Sequence, residues 1–212
     1  MEKAIVHSIE TFGSVDGPGI RYILFLKGCR LRCAFCHNAD TWNMESDDQR
    51  SADEIIAHAL RYRPYWGKDG GITVSGGEPF CFDPSWREKF DRLMEVTDLL
   101  LMDIKHIDPA KHIRLTGRSN ENIIAMFRYL DSIHKPIWIR QVLVPGWTDD
   151  ENDLKQTRQF IDSLHNVQKV EVLPYHNLGA YKWEKLGLKY PLENVTPPDE
   201  KQIQKAEYIL KG

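Results

Sequence analysis

The sequence has 212 residues, of which 42% are hydrophobic, and a formal net charge of −3 at pH 7. This length and this hydrophobic content are sufficient for one compact domain with a buried core, so we expect a single domain over residues 1–212. The 28 basic residues are interleaved with 31 acidic ones, which excludes the broad cationic surface of a nucleic-acid-binding protein. Eighteen consecutive apolar residues occur nowhere, and no signal-peptide pattern is present, so we expect a cytoplasmic chain without a membrane partner.

Apolar, β-rich runs recur along the chain, and segments with helix signals separate them. Ser51 with Glu54 and Ser85 with Glu88 have the spacing of a capping box, which marks the start of a helix. Alternating strands and helices predict right-handed βαβ units and a parallel sheet, either doubly wound or curved into a barrel. The strands are predicted at residues 21–26, 71–74, 99–104, 137–144 and 169–173.

The segments richest in polar residues and cysteine all follow predicted strands. They are residues 28–38, 75–79, 103–105, 145–147 and 174–176. In a β/α barrel, the loops after the strands gather at one rim, where enzymes of this architecture place their chemistry. We therefore predict an α/β fold, specifically a partial (β/α) barrel.

Three of the four cysteines, Cys29, Cys33 and Cys36, lie within eight residues. Such crowding in a reducing compartment indicates a metal or cluster site more than a disulfide framework. A structural zinc site would add His37 as the fourth ligand. The pattern of Cys33, Cys36 and His37 also matches c-type haem attachment, which belongs outside the cytoplasm. The third interpretation is a four-iron cluster with three thiolate ligands and one iron open to a substrate.

The cysteine spacing follows the first predicted strand, and an aromatic residue, Phe35, precedes the last cysteine. This arrangement resembles the signature of the radical S-adenosylmethionine superfamily. Further blocks resemble one of its families, the pyruvate formate-lyase activating enzymes, and extend the likeness to nearly the whole chain. They comprise residues 11–21, 36–42, 75–79, 103–105, 138–140, 144–147 and 173–176.

The resemblance implies a 4Fe-4S cluster held by Cys29, Cys33 and Cys36, whose fourth iron binds the methionine moiety of S-adenosylmethionine. The cluster, reduced by a small electron donor such as flavodoxin or ferredoxin, would cleave this cofactor to methionine and a 5'-deoxyadenosyl radical. That radical would take a hydrogen atom from a backbone glycine in a loop of pyruvate formate-lyase. We expect the chain to act as a monomer.

The resemblance also implies a set of cofactor contacts and no separate catalytic side chain. The contacts are Phe35, Cys36, His37, Gly77, Glu78, Asp103, Ile104, Lys105, Arg140 and His176. Gly77 lacks a Cβ, which permits close backbone approach, and alternation along a strand puts Asp103 and Lys105 on one face. Without the cysteine loop, the glycine block would be an ordinary turn and Asp103 with Lys105 a surface ion pair. Arg140 orients the cofactor or the incoming peptide, or is simply solvated.

The chain departs from the family in one interval. Relatives carry a helix, a strand that ends in an Asp-Thr motif, and another helix between the glycine block and the Asp-x-Lys strand. Here residues 80–98 have room for a single helix, starting near Ser85. We therefore expect a barrel that is short by one helix-strand unit between Pro79 and Leu99, without the Asp-Thr groups that lie near the cofactor and a cation in the family.

Two alternatives come from other classes. In the first alternative, the chain activates another glycyl-radical enzyme, such as an anaerobic ribonucleotide reductase or a glycyl-radical lyase. Several lyase activators insert a ferredoxin-like segment with extra cysteines after the cluster loop, and residues 38–51 contain none, which favours pyruvate formate-lyase. The non-enzymatic alternative is a zinc-stapled binding module with Cys29, Cys33, Cys36 and His37 as ligands. Cys81 has no assigned ligand role.

Overall fold

The structure is a computed structural model that describes residues 3–78 and 87–212. The chain divides into two compact units. The first unit contains the described residues up to Leu31 and from Asn38 to residue 78, and the second contains Arg32–His37 and the residues from 87 onward. A single domain over residues 1–212 stays a prediction.

The first unit is a four-stranded sheet with one helix. Its elements are β1 (Ala4–Gly13), β2 (Arg21–Leu26), β3 (Gln49–Arg50), α1 (Ala52–Leu60) and β4 (Gly71–Gly76). The strand order is β3-β1-β2-β4, in which β1 runs antiparallel to both β2 and β3. The ladder between β2 and β4 is parallel and pairs Leu26 with Gly76 at its end. The segments that follow β2 and β4 therefore leave this ladder at the same edge.

The helix α1 packs its apolar side on this sheet. Ser51 caps α1, because its side chain accepts from the Glu54 N–H and the Glu54 carboxylate accepts from the Ser51 N–H. This capping box confirms the helix start predicted from the sequence. The buried side chains that pack together between α1 and the sheet are Val6, Tyr22, Leu24, Ile55 and Ala59.

The second unit alternates helices with a three-stranded parallel sheet of order β5-β6-β7. Its elements are α2 (Arg87–Glu95), β5 (Leu100–Asp103), α3 (Pro109–Thr116), α4 (Glu121–Ser132), β6 (Ile137–Leu143), α5 (Glu151–Asp162), β7 (Val167–Pro174), α6 (Ala180–Lys185) and α7 (Glu200–Lys211). Parallel strands joined by helices are the arrangement that the apolar runs predicted.

Burial alternates along β6. Ile137, Ile139 and Leu143 are buried at 1% exposure or less, whereas Arg140 between them is only half-buried. Arg140 is paired in register with Asp103, the last residue of β5. The sheet thus has a core face and a second face that carries charged side chains near the carboxyl ends of its strands.

The interval between β4 and β5 is short. Within its described part, the structure contains one helix, α2, which confirms the single helix predicted there. The predicted cap at Ser85 lies outside the described residues. In residues 3–78 and 87–212, no helix has the length and apolar character that crossing a membrane requires.

Candidate cluster and cofactor site

The first end of the cysteine loop is held by backbone hydrogen bonds in the first unit. The Gly28 N–H donates to the Thr41 carbonyl at 2.7 Å, and the Cys29 N–H donates to the Trp42 carbonyl at 3.3 Å. Thr41 closes a buried 3-10 turn, Ala39–Thr41, directly after the cysteine motif. Cys29 is therefore held by hydrogen bonds to residues that come shortly after the cysteine motif in the sequence.

The glycine block at the end of β4 lies against the same backbone. The Gly77 N–H donates to the Leu26 carbonyl at 3.0 Å, and the Glu78 N–H donates to the Gly28 carbonyl at 3.1 Å. A Cβ built on Gly77 would lie 2.2 Å from the Gly28 oxygen and 3.1 Å from the Cys29 Cβ. Only glycine fits here, because the neighbour is backbone and not a flexible side chain.

The second end of the loop is held by α3 in the second unit. The Arg32 N–H donates to the Thr116 carbonyl at 2.7 Å, and the Ala34 N–H donates to the Leu115 carbonyl at 2.9 Å. Both carbonyls belong to the last turn of α3, whose carbonyls have no partner within the helix. The loop N–H groups thus donate to the last carbonyls of α3, and these hydrogen bonds fix the loop backbone.

His37 contacts the segment after β7. Its Nε2 lies 2.9 Å from the His176 carbonyl oxygen, and the two imidazole rings are 4.1 Å apart between centroids. A carbonyl only accepts hydrogen bonds, so the Nε2 of His37 carries the proton and is not a metal ligand in this arrangement. Partial desolvation, and then the positive charge of His37 when protonated, lower the pKa of His176 from 6.5.

Asp103 lies between two cations at the ends of β5 and β6. Its Oδ2 is 3.0 Å from the Lys105 Nζ, and its Oδ1 is 3.2 Å from the Arg140 Nε. Burial raises the pKa of Asp103, but the charges and hydrogen bonds of Lys105 and Arg140 outweigh it and lower the pKa below 3.8. Asp103 thus stays ionised and joins Lys105, which follows β5, to Arg140 of β6.

Two further predicted contacts lie close to these charges. The Lys105 Nζ is 5.8 Å from the centroid of the Phe35 ring, within the range of a cation–π contact. Ile104 points into the core at 2% exposure, and its N–H donates to the Arg140 carbonyl at 2.9 Å. Because its side chain is buried, Ile104 would contact a cofactor only through its backbone.

The structure therefore brings together Cys29 with Gly77, Phe35 with Lys105, Lys105 with Asp103 and Arg140, and His37 with His176. Cys33 is buried at 7% exposure, and Cys29 and Cys36 are half-buried. Among the described residues, no three side chains of His, Cys, Asp or Glu are grouped as metal ligands would be, and these cysteines form no disulfide.

Sequence reasoning missed the residues that support the last cysteine. The Trp183 indole N–H donates to the Cys36 carbonyl, and Gly179 packs against His37. Neither residue belongs to a motif that a single sequence reveals, because both act through contacts with residues far away in the chain.

The residues present suit the two cofactors chemically. Three thiols on one short loop are a donor set for an iron–sulfur cluster. In the first unit, the missing Cβ of Gly77 permits close backbone approach beside Cys29. In the second unit, Lys105 and Arg140 are cationic donors of the kind that bind a carboxylate group.

Comparisons with known proteins agree with this chemistry. Residues 15–158 match a family model described as a 4Fe-4S single cluster domain. The pyruvate formate-lyase-activating enzyme of Listeria monocytogenes is 47% identical over 236 positions, covering 97% of this chain and 95% of that protein. Its counterpart from Streptococcus mutans is 44% identical, covering 97% and 90%. A radical SAM methyltransferase from Sphaerobacter thermophilus shares the fold at 18% identity, with a TM-score of 0.59 over 90% of this chain and 63% of that chain.

The cluster domain and the relatives define an enzyme of the radical S-adenosylmethionine type, with a 4Fe-4S cluster and S-adenosylmethionine as cofactors. The predicted fold class, a partial (β/α) barrel of this type, is confirmed by the likeness in fold. The identity with the relatives extends over nearly the full length of both chains. The chain belongs to the family of pyruvate formate-lyase-activating enzymes.

The Listeria relative is longer than this chain over the matched region. Since 97% of 212 residues is about 206, about 30 of the 236 matched positions face no residue of this chain. One helix and one strand with their connections have about that length. The difference agrees in size with the helix-strand unit that we expect to be missing between Pro79 and Leu99.

Proposed function

We propose that this chain generates a glycyl radical on pyruvate formate-lyase, with a cluster on Cys29, Cys33 and Cys36. The observation that carries the proposal is the complete cysteine motif in a chain 47% identical to an enzyme named for this activation. When bound, the cluster and S-adenosylmethionine together supply the difficult chemistry, in which S-adenosylmethionine is cleaved to methionine and a 5'-deoxyadenosyl radical. The protein has to hold and orient them and exclude water.

The three cysteines are proposed as the ligands because three thiolates leave one iron of a four-iron cluster for the cofactor. Backbone hydrogen bonds at Cys29 and at Ala34 support this role, since they limit the motion of the loop before any metal binds. A loop fixed in this way loses less conformational entropy when it takes up the cluster.

The proposed cofactor contacts have distinct roles. We propose that Gly77 and Glu78 place backbone groups beside the first cysteine, and that Lys105 and Arg140 donate hydrogen bonds to a carboxylate. Asp103 holds these two cations in place. The remaining proposed contacts, which line the approach to the last cysteine, are Phe35, Cys36, His37, Ile104 and His176.

The proposed partners follow from the same chemistry. The glycine-bearing loop of pyruvate formate-lyase receives the radical, and a small electron donor such as flavodoxin or ferredoxin reduces the cluster. We propose that the chain works as a monomer in the cytoplasm and needs neither nucleic acid nor a membrane.

The experiment is anaerobic reconstitution, followed by iron and sulfide analysis and then by reaction with S-adenosylmethionine, a reductant and purified pyruvate formate-lyase. We expect a brown protein with about four irons per chain. We also expect the electron paramagnetic resonance signal of a glycyl radical on the lyase, and no such signal with Cys36→Ala.

Two outcomes would contradict the proposal. A colourless chain that binds zinc and no iron would favour the zinc-stapled module. A chain that cleaves S-adenosylmethionine but leaves the lyase without a radical would act on another glycyl-radical enzyme, and an anaerobic ribonucleotide reductase is then the partner to test.

A further inference from the structure

The last turn of the cysteine motif is held by α6, which lies far away in the sequence. The indole N–H of Trp183 donates to the Cys36 carbonyl oxygen at 2.9 Å, and Trp183 is only 5% exposed. The Cys36 N–H donates to the Cys33 carbonyl at 3.0 Å, which closes the turn between these two cysteines. Both backbone polar groups of Cys36 are therefore engaged.

Trp183 is itself held in place. The edge of its ring packs on Tyr190, with centroids 5.5 Å apart and planes at 67°. The Tyr190 hydroxyl lies 2.9 Å from the hydroxyl of Tyr175, and both tyrosines are buried. An indole fixed by a second ring has few rotamers to lose, so its hydrogen bond to Cys36 forms at a low entropic cost.

The residue after Cys36 is enclosed by the same segment. A Cβ built on Gly179 would lie 2.5 Å from the His37 Cα and 3.0 Å from its Cδ2. The φ of Gly179 is −85°, which any residue adopts, so glycine is needed here for closeness and not for backbone conformation. On the other side of His37, its Nε2 meets the His176 carbonyl at 2.9 Å.

We propose that Trp183 is a positioning residue for Cys36, and that Gly179 completes the same support through His37. The inference rests on the proposed function, because it takes Cys36 to be a cluster ligand. A hydrogen bond to the carbonyl of Cys36 restrains its backbone, and the backbone sets the direction of the Cα–Cβ bond that carries the sulfur. Groups that orient metal ligands in this way typically change metal affinity by about 10- to 100-fold when they are removed.

Trp183→Phe tests the proposal, since it removes the N–H donor and keeps an aromatic ring against Tyr190. Trp66→Phe is the matched control, because the buried indole N–H of Trp66 has no hydrogen-bond partner in the described part of the chain. After anaerobic reconstitution, we expect Trp183→Phe to lose iron to a chelator about 10-fold faster than the parent chain. We also expect a shifted midpoint potential of its cluster, whereas Trp66→Phe matches the parent in both measurements.

Gly179→Ala is the second variant, and it carries the test if circular dichroism shows that Trp183→Phe does not fold. It leaves the indole donor untouched and pushes on His37, so we expect the same direction of change in iron loss and in potential. Parent-like iron loss and potential in folded Trp183→Phe and Gly179→Ala would overturn the inference and leave the proposed function intact. A parent chain that takes up no cluster would overturn both, before any variant is compared.

Discussion

His37 is the residue at which the zinc and cluster interpretations give opposite results. Its Nε2 carries a proton toward the His176 carbonyl, so His37 supports the loop and is not expected to bind metal. We predict that His37→Ala, which removes no ligand, takes up the same iron and sulfide as the reconstituted parent, although the lost support lets a chelator remove the iron faster. A structural zinc site that loses one of four ligands binds its metal much more weakly.

The control for this variant is Cys81→Ala. Cys81 lies outside the described residues, and the sequence assigns it no ligand role, so the variant should also keep the cluster. Loss of the metal in His37→Ala, with Cys81→Ala unaffected, would favour zinc. Equal loss in Cys81→Ala would mean that the ligands are assigned wrongly.

Gly77 is the residue of the glycine block with the tightest surroundings. Gly77→Ala places a methyl group 2.2 Å from the Gly28 oxygen, so the backbone beside Cys29 has to move. We predict slower cluster uptake and weaker binding of S-adenosylmethionine, measured by iron analysis and by calorimetric titration. Gly71→Ala at the start of β4 is the control, since its Cβ would meet only the Arg21 guanidinium, at 3.2 Å. Parent-like behaviour of Gly77→Ala would contradict the account.

The sequence predicted part of the site at residue scale. The proposed cluster ligands were predictable because all three cysteines lie in one short loop, so their spacing can be read directly from the sequence. Asp103 and Lys105 were placed on one face by strand alternation, and they form an ion pair. Trp183 and Gly179 were not predictable, since their roles depend on how α6 approaches the cysteine loop, which no local pattern encodes.

At the scale of elements, the apolar strands were predictable and the polar ones were not. The five predicted strands are confirmed as β2, β4, β5, β6 and β7. The sequence analysis missed β1, which carries His7, Ser8 and Glu10 and alternates between half-buried and exposed residues. It also missed the two-residue β3. Helix α3 had an unused signal, because Asp108 caps it and Pro109 opens it.

Stability should depend on pH through two histidines near α3. His106 and His112 are 2% and 0% exposed, and burial lowers the pKa of each below 6.5. Between the lowered values and 6.5, the unfolded chain binds more protons than the folded chain, so the free energy of unfolding falls as the pH decreases. We predict a lower denaturation midpoint at about pH 5.5 than at about pH 7.5.

The variants that test this prediction are compared by how steeply their free energy of unfolding changes with pH, and not by their stability at one pH. His112→Asn should flatten the slope, because the amide replaces the Nδ1 donor to the Arg118 carbonyl but does not titrate. His134→Asn is the control, since His134 is exposed at φ 53°, a conformation that Asn tolerates, and its slope should match the parent. An unchanged slope in His112→Asn would show that His112 does not contribute.

At the scale of the whole molecule, the expected shortening between Pro79 and Leu99 bears on how the cofactor contacts are arranged. The proposed cofactor contacts come from both sides of it in the sequence, with Gly77 and Glu78 before it and Asp103 and Lys105 after it. Errors of about an ångström at a reacting centre cost about 100-fold in rate. The cysteine loop follows β2 and is held by backbone bonds, so we expect the chain to bind a cluster but to hold S-adenosylmethionine more weakly than a full-length relative.

Restoring the missing unit tests this expectation. We predict that a helix-strand segment from the Listeria relative, inserted between Pro79 and Cys81, tightens S-adenosylmethionine binding and raises the glycyl-radical yield still more. The matched control is a Gly/Ser linker of equal length, which adds chain without a strand and should restore neither. Equal affinity and equal yield in the parent and the restored chain would mean that the shorter chain is complete as it stands.

The most direct test of the central claim is the formation of 5'-deoxyadenosine by the reconstituted, reduced chain supplied with S-adenosylmethionine. We expect 5'-deoxyadenosine and methionine in equal amounts from the parent chain, and neither product from Cys36→Ala. We expect the shortened interval to lower the rate without abolishing the reaction. A parent chain that carries a reduced cluster and leaves S-adenosylmethionine intact would contradict the assignment of this chain as an activating enzyme.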